Sequence, residues 1–240
     1  MLKLFLLVVS CLSCNVAAKA ALRVVTELSP PHQTLVAGEV AGLSTELVRA
    51  TLAKAGVTAP IEIYPWARSF RIAQSQPDVL IYNMARTAER EPQFHWAGEI
   101  MQIQYHLYRL KRRLLDVTDL ASARAYTIGV MRDDVRQQYL RSRGFEKLVV
   151  SAQPLDNFRK LLSGQVDLVP LTTDDAAMLC KETGFDCADL QRVLTLDEAT
   201  TGLYMAYSRQ TPLEVVQRTR QAFERLKAEG VVKRTMERGS

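Results

Sequence analysis

The sequence predicts an α/β fold with largely parallel sheets. Three observations carry this. Short apolar runs bounded by polar turns recur along the chain, Val79-Leu80-Ile81 being the most compact, as for a strand covered on both faces. Apolar stripes at helical spacing alternate with these runs, as in Leu43, Leu47, Val48 and Leu52. Glycines follow those stripes, at Gly56, Gly144, Gly164 and Gly230, where helices end. The 240 residues suffice for one large domain or two small ones, and their 48% hydrophobic and 24% charged content is ordinary for a soluble globular chain.

The first twenty residues read as a secretory signal peptide rather than as part of the fold. Lys3 supplies the positive start, Leu4 to Val9 a short apolar core, and Ala18-Lys19-Ala20 a small-x-small cleavage signal. Cys11 and Cys14 leave a lipoprotein anchor open as the second reading. Cleavage removes Lys3 and Lys19 from the 31 basic residues, leaving 29 against 26 acidic ones. So mild a balance, with Lys111-Arg112-Arg113 as its one basic run, excludes a nucleic-acid partner. His32, His95 and His106 lack ligand spacing, so no metal or other cofactor is expected. In an exported chain the even pair Cys180 and Cys187 is expected to form a disulfide.

Leu22 to Glu27 reads as the first strand, broken by Ser29-Pro30-Pro31. The helix from Leu43 follows, closed by Gly56, then a strand over Ile61 to Tyr64. Trp66 and Arg68 open a helix running to Gln74. Trp66 is either a stacking platform at a site or a core contact of that helix. The next strand, Asp78 to Met84, turns polar at Tyr82 and Asn83; alternation puts Tyr82 and Met84 on one face and Asn83 on the other. Arg90 follows it, where a guanidinium can grip a carboxylate with two parallel hydrogen bonds. Ile103 to Leu110 alternates as a strand. A short helix is expected from Val117, a strand over Tyr126 to Met131, a helix over Asp133 to Arg143, and a strand over Lys147 to Val150. A helix capped by Asp156 leads to a strand over Val166 to Pro170, and Thr172 starts a helix to about Thr183. Gly202 to Ser208 is the last strand. Thr211-Pro-Leu-Glu214 has the form of a capping box opening a helix with Leu213, Val216, Phe223 and Leu226 inward. A short helix follows Gly230.

The stretch from Asp78 to Gly98, with its Thr87-x-x-Arg90 step and Trp96, resembles the family 3 (polar amino acid) solute-binding proteins of bacterial ABC transporters. Gly42-Leu43, Gly129-Val130, Val166-Asp-Leu-Val and the closing helices match the family in order and spacing. The resemblance implies a two-lobed periplasmic binding protein-like fold. Each lobe would be a mixed, mainly parallel sheet flanked by helices, with the ligand cleft at the hinge. Lobe 1 would comprise residues 21–102 and 200–240, and lobe 2 residues 103–199. It implies a periplasmic, monomeric protein that binds a small carboxylated solute and delivers it to an ABC transporter permease. By resemblance Arg90 holds the carboxylate and Glu27 a cationic group. Trp66 and Tyr82 cover the apolar part, and Asn83 and Thr172 meet the remaining polar atoms. Two departures stand out. The family has Gly-Ser/Thr where this chain has Asp133-Asp134, and many members carry an Asp where Thr172 stands. Whether Asp133, Asp134 and Asp174 face the cleft is left open. The alternatives are an exported enzyme resembling cyclohexadienyl dehydratases, with Glu27, Asp133 or Asp174 as acid or base, and a sensing module for a membrane receptor.

Overall fold

The computed structural model describes residues 21–238, so the signal-peptide reading of residues 1–20 lies outside it. The first strands are β1 (Arg23–Thr26), β2 (Thr34–Val36) and β3 (Glu39–Ala41). Helix α1 (Leu43–Lys54), β4 (Ile61–Ile63), α2 (Trp66–Ser75), β5 (Val79–Ala85) and the long β6 (Phe94–Ile103) complete the first passage. The chain then runs through β7 (His106–Leu110), β8 (Ile128–Met131), α3 (Val135–Ser142), β9 (Leu148–Ser151), α4 (Pro154–Ser163), β10 (Val169–Leu171), α5 (Thr173–Thr183) and β11 (Leu190–Thr195). It returns in β12 (Thr201–Ser208), α6 (Leu213–Ala228) and α7 (Val231–Glu237).

Two lobes result. In the first, a five-stranded sheet has the order β4-β1-β5-β12-β6, with β1 parallel to β4 and β5, and β12 antiparallel to both its neighbours. In the second, β10-β7-β11 is antiparallel, while β8 and β9 pair in parallel. The chain crosses between lobes twice, at Gln104-Tyr105 and at Leu196 to Thr200. These crossings run side by side, because Thr201 pairs with Ile103 on one side and Thr195 with His106 on the other. The Leu196 N–H donates to the Tyr105 carbonyl at 2.8 Å and ties them together.

The period of two in the strands sorts the first lobe's core onto two faces. Val24, Leu80, Tyr82, Met205 and Tyr207 pack beneath α1 and α6; Val25, Val79, Ile81, Met84 and Ala206 pack against Trp66, Phe70 and Ala73 of α2. Tyr82 and Met84 therefore face opposite sides, not one side as alternation predicts. Asn83 sits at φ 56°, and three steps along β5 (Ile81 to Met84) match two along β12 (Ala206 to Tyr204). This is a bulge, and its extra residue reverses the facing of everything beyond it.

Three local expectations fail, two of them through competing hydrogen bonds. The capping box at Thr211–Glu214 does not form, because the Thr211 hydroxyl pairs with Ser208 Oγ at 2.9 Å and Pro212 becomes the N-cap. Leu213 is accordingly exposed, and Val215 takes its place in the buried stripe. The helix expected from Val117 is only a 3₁₀ turn, Ser122–Ala125, since Asp119 and Ser122 bond locally. Asp156 lies in the first turn of α4 and does not cap it. The expected bridge between Cys180 and Cys187 is present and staples the end of α5 to the following turn.

Gly98 in β6 lies under the ring of Phe223 from α6, and a Cβ there would stand 2.4 Å from that ring. Phe223 is fully buried and has no room to retreat. Gly98→Ala is expected to cost about 1–3 kcal/mol by overpacking, read as a lowered urea midpoint at unchanged m-value.

Candidate functional site

A cavity of about 280 Å³ lies between the lobes, where the carboxyl ends of β1 and β5 face the starts of α3 and α5. The edges of parallel strands and helix N-termini commonly form binding sites in such folds. Thr26 organises the first-lobe wall. Its hydroxyl donates to the Tyr82 carbonyl at 3.3 Å and accepts from Gln33 Nε2 at 3.0 Å, joining β1, β5 and the loop of Gln33. Gly42, at φ 107°, lets that loop lie against the start of α1; a Cβ would meet the His32 carbonyl at 2.5 Å.

Of the residues predicted from sequence, Glu27, Trp66, Asn83, Arg90 and Thr172 line this cavity. Tyr82 does not. It is 0% exposed in the core under α1, its hydroxyl paired with Thr45 Oγ1 at 2.7 Å. The bulge at Asn83 decides this: Asn83 is turned to the cavity, with Nδ2 donating to Ser44 Oγ at 3.0 Å, while Tyr82 stays with the core face. Asp134 and Asp174 line the cavity; Asp133 contributes its backbone instead.

Glu27, just past the end of β1, has a carboxyl pushed up to about 8 by burial and then by the nearby Asp134 carboxylate. Asp134 behaves oppositely. Burial works to raise it, but the adjoining Arg136 guanidinium holds it below the ordinary carboxylate range. Arg136 grips Asp134 with two bonds, Nε to Oδ1 at 2.6 Å and Nη2 to Oδ2 at 3.0 Å. It also reaches the Pro170 carbonyl at 3.3 Å, lies 3.5 Å from Asp175 and stacks over the Tyr105 ring. Asp134 also caps α3 by accepting from the Arg136 N–H at 2.8 Å. Thr172 and Asp175 form a reciprocal capping box at the start of α5.

Arg90 is 1% exposed and lies over the faces of Trp66 and Phe70. Its Nη2 spans the lobes, donating to the Asp133 carbonyl at 3.0 Å and to Gln138 Oε1 at 3.2 Å; Nη1 donates to Ala85 O at 3.3 Å. Trp66 Nε1 donates to the same Asp133 carbonyl at 2.9 Å. Asp133 presents that carbonyl by adopting φ 58°, the left-handed conformation. Two first-lobe side chains thus converge on one second-lobe backbone oxygen. Trp66→Phe keeps an aromatic face but removes the donor and the five-membered part of a buried indole; it is expected to cost about 1–3 kcal/mol and to speed amide exchange at the start of α3.

Sequence reasoning missed Arg136, Tyr105 and Gln33. Nothing in their spacing marks them. Arg136 looks like an ordinary first-turn helix residue, and Tyr105 like one position in an alternating strand.

Neither a protein-family model nor a curated protein matches the chain. Solved structures do. A histidine kinase sensor domain with similarity to periplasmic binding proteins superposes with a TM-score of 0.82 at 19% identity, covering 92% of this chain and 96% of that one. An ancestral arginine-binding protein bound to arginine gives 0.78 at 20% identity, covering 92% and 98%. The arginine-, lysine-, histidine-binding protein ArtJ of Geobacillus stearothermophilus gives 0.76 at 16%, covering 91% and 94%. At these identities the likeness carries the fold: this chain has the two-lobed fold of type II periplasmic binding proteins.

Proposed function

We propose that this protein holds a small polar solute with a cationic end between its lobes and delivers it, as a periplasmic monomer, to an ABC transporter permease. The observation that carries this is the cavity wall, where the carboxylates of Glu27, Asp134, Asp174 and Asp175 outnumber the guanidiniums of Arg90 and Arg136. Crossings tied side by side suit a hinge that closes the lobes on a ligand. The arginine-binding neighbours support an amino-acid-sized solute. The apolar start of the sequence supports export. The sensor-domain neighbour favours one second reading, in which the closed lobes engage a membrane receptor rather than a permease.

Glu27's raised pKa also suits a general acid. Yet the substrates of cyclohexadienyl-type dehydratases bring carboxylates of their own, and this wall already carries an excess of them. Binding is therefore the better reading.

The test is the thermal midpoint of the purified protein against amino acids, dicarboxylates, short peptides and polyamines. A ligand selective for the folded state raises the midpoint in proportion to RT ln(1 + [L]/Kd). No shift with any of them at millimolar concentration overturns the reading.

A further inference from the structure

We infer that the solute is an amine or guanidine without a carboxylate, and that Arg90 serves as a latch between the lobes rather than as a carboxylate clamp. The inference rests on the solute-binding reading and narrows its ligand class.

The first argument counts the donors available to an anion. A bidentate grip needs two neighbouring N–H groups of one guanidinium, either Nε with Nη2 or Nη1 with Nη2. On Arg90 both pairs include Nη2, and Nη2 is already spent on Asp133 O and Gln138 Oε1. What remains on Arg90 is the unpartnered Nε–H and one N–H of Nη1, and these two do not share an edge that could form a fork. On Arg136 the Nε–Nη2 edge is taken by Asp134. The N-terminus of α3 is taken as well, because the Asp134 carboxylate caps it. The place where a ligand carboxylate would find a helix N-terminus and a guanidinium thus holds a carboxylate of the protein itself.

The second argument concerns acceptors. Gln33 lines the cavity and is 1% exposed, and its Oε1 has no hydrogen-bond partner. Its orientation is set by the protein, since the Thr26 hydroxyl donates to Tyr82 O and so must accept from Gln33 Nε2. Asn83 Oδ1 is likewise buried without a partner on the same wall. Orphaned buried acceptors are costly and call for a donor. A group that brings several N–H donors and a positive charge suits a cavity lined by Gln33, Asn83 and Glu27. An amino acid's carboxylate finds no open guanidinium fork in this arrangement, and it adds a negative charge to a wall that already carries Glu27, Asp134, Asp174 and Asp175.

The experiment compares matched pairs that differ only by the carboxylate, agmatine against arginine and cadaverine against lysine, by calorimetric titration at pH 8. Each amine is expected to bind at least tenfold tighter than its amino acid. Arg90→Lys is then titrated with both members of each pair. A latch weakens both equally and leaves their ratio unchanged; a clamp weakens the amino acid alone. Amino acids binding as tightly as their amines, or an Arg90→Lys loss confined to amino acids, overturns the inference while the binding reading stands. The same holds if none of the four binds but an amino acid, dicarboxylate or peptide of the wider panel does, whereas a polyamine binding in their place supports the inference. No binding by any solute overturns the binding reading itself.

Discussion

Glu27→Gln is expected to weaken cation binding roughly thirtyfold or more and, at the same time, to raise the thermal midpoint of the ligand-free protein above pH 7. Both effects come from one carboxyl that burial, and then the nearby Asp134 carboxylate, push up to about 8 from an ordinary value of 4.5. Below about pH 4.5 the carboxyl is protonated in both the folded and the unfolded chain and contributes nothing. Between about 4.5 and 8 the folded chain holds a proton that the unfolded chain releases, so stability falls as pH rises through that window. Above it, the folded protein carries an ionised group in a desolvated wall facing Asp134 and Asp175. Glutamine removes that penalty, so the variant's advantage is expected to vanish near pH 4 and to be fully developed near pH 9. Binding shows the complementary dependence. A cationic ligand needs the ionised form and lowers the pKa by pairing with it. Wild-type affinity should therefore tighten about tenfold per pH unit between pH 6 and 8 and then level off, with proton release on binding. The glutamine variant should show a flat profile and a loss of roughly thirtyfold or more, as for truncating one member of a desolvated charge contact. Titrations with agmatine from pH 6 to pH 9 read all of this. A wild-type affinity that does not change with pH removes Glu27 from the site.

The stability cost of Glu27 shows which parts of this molecule were legible in its sequence. Most strands and helices were, because apolar spacing is a local record of which side of a segment meets the core, but β2, β3, β6 and β11 were not read from it. The stripe of α1 and the run Val79-Leu80-Ile81 appear where spacing puts them. Glu27 was placed by the family resemblance, as the acidic residue that ends the first strand. Tyr82 was misplaced because its facing depends on the backbone at Asn83, and a single residue at φ 56° leaves no mark in hydrophobic period. Arg90 was found, but not its engagements. Its main partner is a backbone carbonyl from the opposite lobe, 43 residues away, and a carbonyl has no sequence identity. Arg136 was missed altogether. Its partner Asp134 stood out only as a departure from the family pattern, and nothing in the sequence marks that one carboxylate both caps α3 and pairs with Arg136. Residue types and the family resemblance pointed toward a carboxylated ligand; the proposed amine class is argued instead from which of these groups are already bonded.

Arg136→Ala is expected to be the most destabilising single change in the second lobe, costing about 3–5 kcal/mol. The pair it breaks is buried on both sides, and the loss leaves Asp134 charged in a wall with no other guanidinium bonded to it. Asp134→Asn should cost less. The arginine it strands keeps the Pro170 carbonyl, the Tyr105 ring and Asp175 at 3.5 Å, and an amide can still cap α3. Adding Asp134→Asn to Arg136→Ala should recover part of the loss, since a neutral amide is cheaper to bury than an unpaired carboxylate. pH separates this account from simple loss of packing. In the wild type Asp134 is held below the ordinary range, so it supports folding above its unfolded pKa of about 3.8 and that support is lost as pH falls through its lower folded value. Without Arg136 burial dominates and the carboxyl titrates upward, so the variant's deficit should shrink as pH falls from 7 toward 4. Urea unfolding of the two single variants and the double variant at pH 7 and pH 4.5 measures each quantity. A deficit that is equal at both pH values, with no recovery in the double variant, means that Arg136 acts through its packing on Tyr105 and not through Asp134.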